Sequence, residues 1–195
     1  MEKTIIVKNQ VKLAPLFQPE EGKTVITPLG NETGYWAGAP TILFDEKDET
    51  FYLYYRLRNP RGLGENERGF EVRIASSKDG ESFTDVWSLH KKQLNSSSIE
   101  RSALVKVKDN LYRLYISYVD SADNRWRIDV VEAETPFSFD VNKRRKVLTA
   151  SDYPGVEGVK DPYVVKHEDL YYMYFVYAKG IEDADLSGMH NTGDV

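Results

Sequence analysis

Apolar positions near the C-terminal end of the chain follow a period of two. In "GVKDPYVVKHEDLYYMYFVYAKG", from Gly158 to Gly180, Tyr172, Tyr174 and Val176 alternate with Tyr171, Met173, Phe175 and Tyr177, so both faces are apolar or aromatic. A short apolar run, a charged turn and a longer aromatic run predict two antiparallel strands of a buried sheet. The same order occurs twice upstream, in "GAPTILFDEKDETFYLYYRLRN" (Gly38 to Asn59) and "RSALVKVKDNLYRLYISYVD" (Arg101 to Asp120). Aligning Pro40, Ala103 and Pro162 gives offsets of 63 and 59 residues. Further on, "IASSKDGESF" (Ile74 to Phe83) matches "VVEAETPFSF" (Val130 to Phe139) without a gap. Asp79-Gly80 is a strong hairpin-turn signal. A simple meander also repeats strands and turns, but three copies in register favour an internal repeat.

The first copy predicts strands at Thr41–Phe44, Phe51–Arg58, Glu71–Ser77 and Val86–Lys91. The second predicts Ala103–Val107, Leu111–Val119, Trp126–Glu132 and a ragged stretch around Val147. No segment has apolar residues at helical spacing; "ENERGFEVR" and "IEDADLSG" read as loops. The expectation is an all-β chain, with a repeat of about 60 residues carrying three or four strands, as in a β-propeller blade. The expected organisation is lead-in strands over 1–34, a first blade over 35–98, a second over 99–156 and a partial third over 157–195. Thr41–Phe44, Ala103–Val107 and Tyr163–Lys166 are then the innermost strands of successive sheets. A half-built third blade leaves an edge exposed. The expectation is therefore an incomplete propeller, with Ile181–Val195 poorly packed, or a short chain that closes by forming a homo-oligomer.

Composition narrows the partners. A formal charge of −5 over 195 residues argues against nucleic acid and anionic membranes as partners. No apolar run is long enough to span a bilayer, and "MEKTIIVKNQVKL" has no signal-peptide core, so the default expectation is a soluble cytoplasmic protein. Zero cysteines exclude disulfides and thiolate chemistry. His90, His167 and His190 lack metal-ligand spacing, so no metal or cofactor is expected. The basic run "NKRRKV" (Asn142 to Val147) reads as a solvated outer strand or loop, and the sequons "NSS" and "NET" carry little meaning without secretion. Thirteen tyrosines suit both strands and sugar-binding surfaces.

The motifs "KDPYVV", "YYMYFVY" and "IASSKDGESF" resemble those of the five-bladed β-propeller glycosidases: arabinanases and β-xylosidases, invertase-like enzymes, and mannoside phosphorylases and hydrolases. The mannoside-phosphorylase branch is the most similar. Its "NPA…YYLLYR", "EDPR" and "KD" steps match "GAP…FYLYYR", "ERSA" and "KDP" in this chain. The resemblance covers about Tyr35 to Val195. It implies that residues at the head of each innermost strand face a central funnel where sugar binds. Two family carboxylates are missing: Arg101 stands where "EDPR" has its aspartate, and Ala39 where arabinanase-type members carry a base.

Glycoside cleavage normally needs two carboxyl groups, and phosphorolysis replaces one with bound phosphate and cationic side chains. The resemblance places Asp161 and Glu100 as the candidate catalytic carboxylates. Glu157, Lys160 and Arg101 stand beside them, with Trp36 as a sugar platform and Arg56 as a binding cation. Each also has a plain reading: Asp161 as a turn residue before proline, Trp36 as core packing, Arg56 as a solvated strand end. Two functions follow. One is a glycoside hydrolase or phosphorylase acting on an oligosaccharide. The other is a non-catalytic propeller that binds a glycan or a protein partner. A lectin-like β-sandwich keeps the tyrosines but leaves the repeat unexplained.

Overall fold

The computed structural model describes residues 19–179. Ten strands form three antiparallel sheets in chain order, with five short 3-10 turns and no α-helix among the described residues. The first sheet holds β1 (Trp36–Asp45), β2 (Thr50–Asn59), β3 (Arg68–Ser77) and β4 (Thr84–His90), each beside its predecessor. The second repeats this with β5 (Ala103–Lys108), β6 (Leu111–Val119), β7 (Trp126–Ala133) and β8 (Arg145–Leu148). The third holds β9 (Val156–His167) and β10 (Leu170–Lys179). Thr41–Phe44, Ala103–Val107 and Tyr163–Lys166 thus open three separate sheets, as the repeat requires.

Alternation along the strands builds the core. Tyr52, Tyr54, Val72, Ile74 and Leu89 from the first sheet meet Leu104, Tyr112, Leu114, Ile116 and Val131 from the second in one buried cluster. Sheets stacked face to face in this way, each a short meander, are the packing unit of a propeller. The opposite face of the first sheet buries Leu53, Tyr55, Leu57, Phe70 and Ala75 under Ile26, Ala37 and Phe83. The third sheet leans on the second: Tyr171 donates its hydroxyl to the Val107 carbonyl, and Gly158 lies against Trp126. Its other face shows Tyr163, Tyr172, Tyr174 and Val176 to solvent. The expectation that the tyrosine run is buried on both faces is therefore corrected: the alternation is real, but only one face is packed.

Several boundaries move. β3 begins at Arg68, three residues before the expected Glu71, so part of "ENERGFEVR" is strand rather than loop. Arg68 has φ +53°, the bulge that lets β3 start across from Asn59. Lys91 leaves β4 and opens a 3-10 turn capped by His90, whose Nδ1 accepts from the Lys92 amide. Of the expected lead-in strands, the described part, residues 19–34, is a 3-10 turn followed by loop. The expectation for Ile181–Val195 lies outside the described residues. No helix among them is long and apolar enough to cross a membrane.

Candidate functional site

The head of each innermost strand carries a β-bulge. Gly38 pairs with Arg56 and Thr41 with Tyr54, so Ala39 and Pro40 are squeezed out of register. Lys160 pairs with Val176 and Tyr163 with Tyr174, which does the same to Asp161 and Pro162. In the second sheet the Glu100 amide donates to the Ser117 carbonyl at 2.8 Å, while Ala103 pairs with Tyr115, leaving Arg101 and Ser102 between. The three bulges correspond residue by residue: Ala39, Arg101 and Asp161 share one place, and Pro40, Ser102 and Pro162 the next. Ser102, rather than Ala103, is the true counterpart of the two prolines. The match of "ERSA" with "EDPR" already implied this register; the repeat alignment on Ala103 was one residue off, because serine and alanine carry no turn signal as strong as proline. Ala39 and Asp161 both have positive φ (+50° and +55°), a strained state for non-glycine residues that persists only where the surroundings hold it. Bulges of this kind re-aim side chains at the end of a sheet.

The bulges bring four of the seven candidate side chains into one charged group. Arg56 Nη1 donates to Glu100 Oε2 at 2.5 Å, with the two side chains only 9% and 13% exposed. Arg56 is therefore no solvated strand end; it is a clamp on Glu100. Its guanidinium also lies 5.9 Å from the centre of the Trp36 indole, which is 42% exposed and rests over Gly38. Trp36 is thus not ordinary core. Lys160 Nζ is 3.7 Å from Asp161 Oδ2 and 5.4 Å from the centre of the Trp126 ring. Burial pushes the Glu100 carboxyl above the ordinary glutamate value; Arg56 and Lys160 oppose this, and Asp161 adds to it. Burial also lowers the Arg56 guanidinium, against the attraction of Glu100. Arg101 is exposed and Glu157 half-buried, and neither forms an ion pair with this group among the described residues.

Sequence reasoning overlooked three members of the site. Tyr54, fully buried, donates its hydroxyl to the Glu100 carbonyl at 2.9 Å. Trp126 opens β7 and lies beneath Lys160. Ser117, fully buried in the otherwise apolar "YISYV", accepts the Asp161 amide on Oγ at 3.3 Å. A polar residue at an inward strand position was the one legible signal for Ser117. Among the described residues no group of three or more histidine, aspartate or glutamate side chains could hold a metal ion.

No protein-family model and no curated protein matches the sequence. Solved structures do. A structure described as showing that the GH130 family of mannoside phosphorylases contains glycoside hydrolases targeting β-1,2 mannosidic linkages in Candida mannan superposes with a TM-score of 0.54 at 15% identity. It is matched over 80% of this chain and 52% of its own. A family 43 arabinoxylan arabinofuranohydrolase from Bacillus subtilis, in complex with cellotetraose, gives 0.52 at 18% identity, over 83% of this chain and 34% of its own. A glycosyl hydrolase from Bacteroides ovatus gives 0.51 at 16% identity, over 77% and 50%. The chain spans about half or less of the length of each of these structures. With two four-stranded sheets and a third sheet stacked in sequence, the chain has the fold of part of a β-propeller, the fold of the propeller glycosidases.

Proposed function

We propose that the bulge-bearing face binds an oligosaccharide and belongs to a glycoside hydrolase or phosphorylase. The observation that carries this reading is the pairing of two carboxyl groups in unlike environments at equivalent strand heads. Glu100 is buried and raised, the property a general acid needs; Asp161 is more open and has Lys160 as counter-ion. Trp36 offers an exposed indole face for a sugar ring. In this reading Glu100 delivers a proton to the leaving oxygen and Asp161 faces the opposite side of the scissile bond. Water or phosphate is the nucleophile. Arg101 is exposed at the place in the second sheet that Asp161 holds in the third, suited to an anionic group, and Glu157 and Lys160 complete the wall.

A second reading, a glycan- or protein-binding propeller without catalysis, is favoured by one observation. Arg56 holds Glu100 in an ion pair, and the equivalents of Asp161 in the other two sheets are Ala39 and Arg101. A panel of aryl glycosides and oligosaccharides, with and without phosphate, separates the readings. The parent should cleave at least one substrate. Asp161→Asn should lower turnover by about 10²–10⁴-fold, the worth of a positioned acid or base, and leave sugar affinity nearly unchanged. Full activity in that variant removes Asp161 from the mechanism. Sugar binding without cleavage in the parent establishes the binding reading instead.

A further inference from the structure

We propose that Ser117 is the positioning residue that fixes the two candidate carboxylates relative to one another. Its backbone bonds to the head of its own sheet, and its side chain reaches the third sheet. The Ser117 carbonyl accepts the Glu100 amide at 2.8 Å, and its Oγ accepts the Asp161 amide at 3.3 Å. Its own amide donates to Ser102 Oγ at 3.3 Å. Ser102 in turn accepts Thr41 Oγ1 on its carbonyl at 2.7 Å, and the Glu100 carbonyl accepts the Tyr54 hydroxyl at 2.9 Å. A continuous polar chain therefore runs from β1 and β2 through Glu100, Ser102 and Ser117 to Asp161. Ser102 and Ser117 are both fully buried, so water cannot replace these bonds without opening the joint.

Chemistry explains why the joint falls at Ser117. The bulge that re-aims Asp161 takes its amide out of the β9–β10 ladder, where Lys160 and Tyr163 are paired but Asp161 is not. A buried or half-buried amide needs an acceptor. The Ser117 hydroxyl meets it at 3.3 Å, at the residue of positive φ where the bulge turns the backbone. Any other small residue on β6 could fill the space, but only a hydroxyl can meet that amide. Lys160 and Asp161 both act electrostatically on Glu100, so the position of this backbone sets how strongly they bear on the Glu100 carboxyl.

The inference rests on the proposed site, but its test does not depend on activity. In Ser117→Ala, hydrogen exchange at the Asp161 amide should rise by about tenfold or more, while amides in the β2–β3 ladder keep their protection. Carboxyl NMR gives the second readout. In the parent, Asp161→Asn should lower the Glu100 titration midpoint, and in the Ser117→Ala background the same change should move it less than half as far. Ser102→Ala is the control: it cuts the same polar chain without touching Asp161, so it should lower the melting temperature and leave the Asp161 amide protected. Unchanged Asp161 exchange together with unchanged coupling in Ser117→Ala overturns the inference. Equal loss in Ser102→Ala also overturns it, because the effect is then general loosening. A parent inactive on every glycoside counts against the proposed function and leaves both readouts intact.

Discussion

Replacing Arg56 with methionine tests the electrostatic core of the site. The substitution keeps an apolar stem of similar length and removes the cation that pairs with Glu100 at 2.5 Å. With side-chain exposures of 9% and 13%, this is a buried pair, and breaking such a pair from one side costs about 3–5 kcal/mol. Loss of the guanidinium over Trp36 adds about 0.5–1 kcal/mol. Against a typical total of about 5–15 kcal/mol, that brings the fold close to its threshold. With a urea slope of about 2 kcal/mol/M, the midpoint should fall by about 2 M. The loss should depend on pH in a stated direction. Burial already raises Glu100 above its ordinary 4.5, and without Arg56 it rises further. A raised acid binds its proton more tightly in the folded state. Its contribution to stability is therefore full below the unfolded value and declines as pH rises through the folded one. The deficit of Arg56→Met should accordingly be small near pH 4 and large at pH 8, by urea melts followed with tryptophan fluorescence. Adding Glu100→Gln removes the stranded charge and should restore most of the loss at pH 8. A deficit that is the same at both pH values, and that Glu100→Gln does not relieve, refutes the reasoning; Arg56 would then act by packing alone.

The buried Asp45 makes a second pH-dependent contribution, of opposite sign. Burial pushes its carboxyl up, but hydrogen bonds from Lys106, Tyr112 and the Lys47 amide outweigh this and leave it below the usual aspartate value. Its stabilisation is thus present above the unfolded value of 3.8 and lost as pH falls through the lower folded one, so melts of Asp45→Asn should converge on the parent in acid. Tyr112→Phe should cost about 1.5–3 kcal/mol, the range for a hydrogen bond to a charged group, when measured by urea melts at neutral pH. Gly69→Ala should lower the melting temperature by about 6 °C for a 2 kcal/mol loss, because a Cβ there overlaps the Ile99 carbonyl and presses on Arg56 Nε and Ser98 Oγ. An unchanged melting curve would show that the joint between the first two sheets can shift at no cost.

Local sequence determined the strands and their grouping. The period-two runs, the turn at Asp79-Gly80 and the threefold recurrence of apolar run, charged turn and aromatic run identify sheets before any contact is known. They do so because alternation and turn chemistry are properties of neighbouring residues. What happens at the strand heads is not local. Glu100 and Asp161 were legible as funnel candidates, but nothing in the sequence states that Arg56, 44 residues away, closes on Glu100. Nor does it show that Ser117 meets the Asp161 amide, a contact between different sheets. The bulge register that makes Ser102 the counterpart of Pro40 and Pro162 depends on pairing with β6. The same holds for the tyrosine run of β10. Sequence gives its alternation, and only the stacking of sheets decides that Tyr171 is packed while Tyr174 is 62% exposed. Periodicity specifies which residues share a face; which face is covered, and which charges then lie side by side, is set by sheet packing across long stretches of chain.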